Sequence, residues 1–220
     1  MQSRGELPFV PQYDRQKKEM VDLLKERGVI DPRVLKAFAE VERHLFVPDA
    51  LRNRAYDDCA LPIGCSQTIS QPYTVAFMTQ YLDVKRGDKV LEVGTGSGYQ
   101  AAILAEMGAR VFSIERHAEL LYGARKILEK LKYDVATKVG DGTVGWVEFA
   151  PFDGIVVTAG APEIPEPLKN QLADGGRLVI PIGDLDMQQM NIVVRNGDDY
   201  DVKEIFGFRF VPLIGKKGWG

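Results

Sequence analysis

Apolar positions along this 220-residue chain keep helical spacing at first, then gather in short continuous runs, and finally alternate with polar ones. Met20, Leu23 and Leu24 form a helical stripe within residues 11–27, with Gly28 as the stop. Asp31-Pro32 reads as an N-cap followed by proline in the first turn, and Val34, Leu35, Phe38 and Val41 form one face of a second short helix. Apolar runs then predict strands at 90–93, 110–115, 134–139, 151–160 and 174–183. Between them, 100–105, 117–132 and 163–172 read as helices, the middle one with Leu120, Leu121, Ala124, Ile127, Leu128 and Leu131 inward. Strands alternating with helices predict a parallel, doubly wound sheet. Residues 189–195 and 200–210 alternate instead, around an Asn196-Gly197-Asp198 turn, as antiparallel strands at a sheet edge do. The expected fold is α/β, with about seven strands, a parallel core, an antiparallel edge and extra N-terminal helices. One domain over 1–220 is expected, with 1–83 as helices and a loop and 84–220 as the sheet and C-terminal strands.

Residues 56–73 fit none of these periods. Pro62, Gly64 and Pro72 break the stretch too often for a regular element, so it reads as a binding loop. Ser70 ahead of Gln71-Pro72 reads as the N-cap of a helix over 73–82.

The chemistry concentrates after the strand at 90–93. Gly94, Gly96 and Gly98 alternate there, immediately after Glu92-Val93 and before a helix. Such glycines allow a sharp bend and a close ligand approach, and the helix start presents unpaired N–H groups. The spacing differs from the Gly-x-Gly-x-x-Gly of dinucleotide sites, and Glu92 would repel a pyrophosphate while suiting a cation. Glu115 ends the next strand, 21 residues after Gly94, where an acidic side chain can accept from ribose hydroxyls. Asp141, in the turn Gly140-Asp141-Gly142, lies at another strand end and is suited to accept from an adenine amino group.

Composition narrows the classes. The net charge of −3 provides no basic field for nucleic acid or anionic lipid. His44 and His117 show no metal-ligand spacing, so no metal is expected. Cys59 and Cys65 permit one disulfide but no framework, and the plainer reading is two small buried thiols. Residues 1–8 carry no continuous apolar stretch, and no run reaches membrane-spanning length, so a cytoplasmic protein that does not bind membranes is expected.

Five blocks carry a resemblance. Leu61-Pro62-Ile63-Gly64 with Gln67-Thr68-Ile69-Ser70-Gln71-Pro72-Tyr73, then Leu91 to Gln100, Gly140-Asp141-Gly142, Pro151-Phe152-Asp153 and Arg209-Phe210-Val211-Pro212-Leu213 resemble the protein-L-isoaspartate (D-aspartate) O-methyltransferase family. The family usually has glycine where this chain has Ser66, a difference that matters because glycine takes positive φ cheaply. The resemblance implies a Rossmann-like methyltransferase sheet with an unusual order of its last two strands. It implies transfer of a methyl group from S-adenosyl-L-methionine, leaving S-adenosyl-L-homocysteine, to the free carboxyl of L-isoaspartyl and more weakly D-aspartyl residues. The partners would be damaged proteins and peptides, the ester would close to a succinimide, and the enzyme would act as a monomer. Carried over residue by residue, the active-site serine is Ser70. Cofactor contacts fall on Thr68, Ile69, Ser70, Glu92, Gly94, Thr95, Gly96, Glu115, Asp141 and Gly142, and substrate walls on Ile63, Ser70, Val211, Pro212 and Leu213.

A carboxylate acceptor, with an ordinary pKa of about 3.3–4, is already anionic and needs no general base. A serine hydroxyl is no nucleophile without an activating base. Ser70 is therefore expected to donate a hydrogen bond to the acceptor, the plainer alternative being a helix cap alone. A nucleic-acid base methyltransferase would need an amide or carboxylate platform after the fourth strand, where this chain reads Thr158-Ala159-Gly160-Ala161-Pro162. A nicotinamide oxidoreductase is disfavoured by Glu92, and a non-catalytic cofactor-binding subunit is the remaining alternative.

Overall fold

The computed structural model describes residues 11–219; Met1–Pro8, read above for a leader, lies outside them. Helices α1 (Pro11–Glu26) and α2 (Pro32–Glu40) form as their stripes predict, and Asp31 caps α2 by accepting from the Arg33 N–H. A sheet then runs in the order β5-β4-β3-β6-β7-β8-β9. Its strands are β3 (Lys89–Val93), β4 (Arg110–Glu115), β5 (Val135–Val139), β6 (Phe152–Val157), β7 (Leu172–Gly183), β8 (Gln188–Asn196) and β9 (Asp199–Phe208). Pairing is parallel from β5 through β7, and β8 and β9 add antiparallel. The last two strands thus follow in chain order, with β9 at the edge.

The core has two sides because strand side chains alternate. Val90, Val111, Val156 and Val179 face the layer formed by α1, α2, α3 (Pro72–Leu82) and α4 (Tyr99–Glu106). Leu91, Val93, Ile155, Val157, Leu178 and Ile180 face the other way, against Leu168 of α6 (Glu166–Asn170) and Leu213 of the tail. Helix α5 (Ala118–Lys130) buries Leu120, Leu121, Ala124 and Leu128.

Three sequence expectations change. Residues 56–73 contain a two-stranded antiparallel hairpin, β1 (Leu61–Gly64) and β2 (Gln67–Ile69), rather than an irregular loop. Its two-residue turn places Cys65 at φ 50° and Ser66 at φ 56°. A two-residue turn with positive φ at both central residues is type I′, for which Asn-Gly or Asp-Gly is the usual signal and Cys-Ser is none. The helix expected over 163–172 shrinks to the five residues of α6, because β7 already begins at Leu172. Cys59 and Cys65 are free and half-buried instead of lying in the core.

Past Leu213 the chain runs on as a strap to Trp219. The Leu213 N–H donates to the Gly160 carbonyl at 2.7 Å, the Trp219 indole donates to the same carbonyl at 3.0 Å, and the Trp219 N–H donates to the Leu213 carbonyl at 2.8 Å. This strap crosses the carboxyl ends of the strands.

Candidate active site

Strand order reverses between β3, whose successor β4 lies on one side, and β6 on the other. In doubly wound sheets the ligand crevice opens at that point, beyond the carboxyl ends. A cleft of about 900 Å³, open mouth included, lies there. Its floor is the glycine loop after β3, with Gly94, Gly96 and Gly98 at φ 98°, 52° and 87°. Gly94 must be glycine on a second ground. A Cβ there would collide with the Thr158 hydroxyl, which instead donates to the Gly94 carbonyl at 2.7 Å.

Register determines the polar wall. Glu92 on β3 pairs with Ser113 on β4, so the two side chains share one face. The Ser113 hydroxyl donates to Glu92 Oε2, and Thr95 Oγ1 lies 2.6 Å from Ser113 Oγ. Glu92 is fully buried, and its Oε1 has no hydrogen-bond partner. Burial pushes its pKa up to about 8; Ser113 opposes that rise, the Glu115 charge adds to it, and the Ala101 N–H opposes it more weakly. Gln100, which lines the same cleft, also has a buried Oε1 without a partner. Buried polar atoms are normally satisfied, so this concentration marks a place for a polar ligand, and a cationic one beside Glu92. The Glu115 carboxylate accepts from the Gly96 N–H and the His117 N–H, each at 2.9 Å, one per oxygen. Each oxygen retains a lone pair for a further donor.

Thr68, Ile69 and Ser70 form the opposite wall, delivered by the end of β2. Ser70 does not cap α3: the N-cap is Gln71, without a side-chain bond. Pro72 and a buried Arg43 bond to the Ser70 carbonyl organise this corner instead. The Ser70 hydroxyl has no hydrogen-bond partner among the described residues. Val211, Pro212 and Leu213 cover the cleft from the strap, and Gly142 closes one end. Two expected site residues stand off the wall. Ile63 lies behind Gly96, its Cδ1 3.5 Å from where a Cβ would be. Asp141 turns to the strap, accepting from the Lys216 N–H at 2.8 Å and from Thr143.

Sequence reading missed Met78, Tyr99, Gln100, Thr158 and Ile214, all of which line the cleft. Thr158 follows the carboxyl end of β6, a signal that could have identified it. Met78 sits in an almost wholly buried helix whose cleft-facing side no periodicity marks.

This strand order, the glycine loop and the buried acid beside it define an S-adenosylmethionine-dependent methyltransferase of the Rossmann-like class. The model of one family, "Protein-L-isoaspartate(D-aspartate) O-methyltransferase (PCMT)", matches residues 15–218. A protein-L-isoaspartate O-methyltransferase of Salinibacter ruber is 58% identical over 213 residues, covering 92% of this chain and 93% of its own. One from Chlorobaculum tepidum is 56% identical, covering 93% and 97%. A solved protein-L-isoaspartate O-methyltransferase superposes with a TM-score of 0.82 at 29% identity, covering 92% of this chain and 67% of its own. A putative one from Plasmodium falciparum, in complex with S-adenosyl-L-homocysteine, gives 0.79 at 27% identity, covering 90% and 98%. The chain belongs to the protein-L-isoaspartate(D-aspartate) O-methyltransferase family, and it is a protein carboxyl methyltransferase.

Proposed function

We propose that this cleft methylates the free carboxyl of L-isoaspartyl, and more weakly D-aspartyl, residues in damaged proteins, with Ser70 orienting the acceptor. The observation that carries the reading is an opposition across the cleft. Glu92 leaves one buried carboxylate oxygen unpartnered on one wall, and Ser70 leaves its hydroxyl uncommitted on the other.

S-adenosylmethionine, the methyl donor, supplies an electrophilic methyl group on a sulfonium. Glu92, Gly94, Thr95 and Gly96 would hold its cationic amino-acid end, Glu115 its ribose and Gly142 its adenine side, with Thr68 and Ile69 on the opposite wall of the same cleft. Asp141 supports that side through the strap and the turn it caps. Ser70 donates to one oxygen of the acceptor carboxylate and leaves the other free to attack. Val211, Pro212 and Leu213 shape the substrate wall and exclude water, and Ile63 supports the site from behind Gly96. No proton has to move, so the chain contributes orientation and a dry site. Such positioning can lower a barrier by up to roughly 7–11 kcal/mol.

The reading extends to a monomer in the cytoplasm that binds no nucleic acid. The charge of −3 provides no field for phosphates, and the free Cys59 and Cys65 suit a reducing compartment. Among the described residues no helix is long and apolar enough to cross a membrane. The test is transfer of tritiated methyl to an isoaspartyl peptide, its aspartyl twin and an RNA oligomer. Label is expected in the isoaspartyl peptide alone; equal labelling of the twin, or any of the RNA, overturns the reading.

A further inference from the structure

Arg43 is fully buried, the bulkiest of the side chains so enclosed. Its Nε donates to the Ala55 carbonyl at 2.7 Å, and its Nη2 donates to the Ser70 carbonyl at 2.8 Å. Its guanidinium carbon lies 4.7 Å from the centroid of the Tyr99 ring. The Tyr99 hydroxyl lies within interaction range of the guanidinium, Nη1 makes no hydrogen bond of normal geometry, and no carboxylate of the described residues pairs with the group. Tyr99, Tyr56 and Cys59 surround it, and burial presses its pKa down. Arginine nonetheless keeps its proton inside proteins. A whole positive charge therefore sits in the core without a counter-ion, where buried charges are ordinarily paired.

Its place is specific. Both Ser70 and Tyr99 line the cleft, so the guanidinium stands directly behind the wall read above as the acceptor side. The surrounding dielectric is low, which lengthens the reach of its field. An anion against Ser70 would be the counter-ion the fold omits.

We propose that Arg43 is a positioning residue for the acceptor: its unpaired charge draws the substrate carboxylate to the Ser70 wall, and its bond to the Ser70 carbonyl holds that wall in place. This rests on the reading of Ser70 as the acceptor side. The ligand class it selects is a peptide carboxylate, as opposed to a neutral or cationic group.

The test compares wild type, Arg43→Met, Arg43→Lys and Ser70→Ala. Three quantities are read: KM and kcat for an isoaspartyl peptide, the Kd of S-adenosyl-L-homocysteine by equilibrium binding, and Tm. Arg43→Met should raise the peptide KM about tenfold, the effect of withdrawing one buried positive charge from behind the acceptor. The S-adenosyl-L-homocysteine Kd should stay within about twofold, while Tm should fall, because the Ala55 and Ser70 carbonyls lose their donor. Arg43→Lys keeps the charge but loses the fork, so its peptide KM should rise only about threefold. A joint shift of peptide KM and Kd, an unchanged peptide KM, or a Lys variant no better than Met overturns the proposal. If the Met variant does not fold, Lys against wild type decides by the same criteria. Failure of the underlying reading looks different: Ser70→Ala then keeps wild-type kinetics, or wild type ignores the isoaspartyl peptide altogether.

Discussion

The Asp141 carboxylate accepts the main-chain N–H of Lys216 at 2.8 Å, across 75 positions of sequence. Its other oxygen takes the Thr143 N–H and hydroxyl, and the Lys217 N–H reaches that hydroxyl at 3.1 Å. One side chain thus ties the strap, whose Val211 to Leu213 cover the cleft, to the turn after β5.

Asp141→Ala should loosen the strap before the sheet. Removing these bonds costs about 2 kcal/mol, read by urea unfolding. Hydrogen exchange should accelerate over 211–218 and not over β3. Burial raises the Asp141 pKa, but the Lys216 and Thr143 bonds outweigh it and hold the group below its ordinary 3.8. The sign follows: the tie is intact above 3.8 and is lost as pH falls through the lower folded value. Equal exchange in mutant and wild type at neutral pH would sink this account of the strap.

Glu92 should make both stability and cofactor affinity depend on pH. Its folded pKa, about 8, lies above the ordinary 4.5. Below 4.5 the group is neutral in both states and costs nothing. Between 4.5 and about 8 the unfolded chain ionises while the folded one does not, so the ligand-free protein loses stability as pH rises. A bound cation favours the ionised form. Affinity for S-adenosylmethionine should therefore tighten across the same window, with proton release visible by calorimetry in two buffers. Glu92→Gln should flatten both profiles, and a Gln variant with the wild-type slopes refutes the assignment.

Gly94→Ala should abolish cofactor binding. The new methyl would meet the Thr158 hydroxyl, and φ 98° is strained for alanine. A loss of roughly 1–3 kcal/mol in stability is expected, with Gly94→Ala,Thr158→Ser giving no rescue because the clashing oxygen remains. Tm and equilibrium binding of S-adenosyl-L-homocysteine check this. Retained affinity would mean the loop can re-form without glycine.

Ser70→Ala separates orientation from capping. A lost helix cap would lower stability by about 1 kcal/mol. Because Gln71, not Ser70, is the N-cap, Tm should stay unchanged while kcat/KM for an isoaspartyl peptide falls about tenfold, the loss of one hydrogen bond to a charged acceptor. Unchanged kcat/KM would remove Ser70 from the chemistry.

Much of the cleft was legible because its parts are local. Glu92, the three glycines and the start of α4 are consecutive, so strand, bend and helix announce themselves together. Glu115 follows from the same arithmetic, one crossover later. Ser70 lines the cleft but does not cap α3, and a serine before Gln-Pro looks like a cap whether or not the chain uses it. The β1–β2 hairpin stayed hidden because Cys65 and Ser66 adopt positive φ under tertiary constraint, without the glycine or asparagine that would signal it.

Periodicity determined the α/β class, the parallel core and the antiparallel edge, and the run from Glu92 to Gly98 the position of the glycine loop, because each is encoded within about a dozen neighbouring residues. Tertiary structure alone decided that β8 lies inside β9, that Asp141 grips Lys216, and that Arg43 stands unpaired behind Ser70. Those are meetings between distant segments. Their energy comes from burial and from main-chain bonds that any nearby donor or acceptor could make, so no local pattern of side chains specifies the partner.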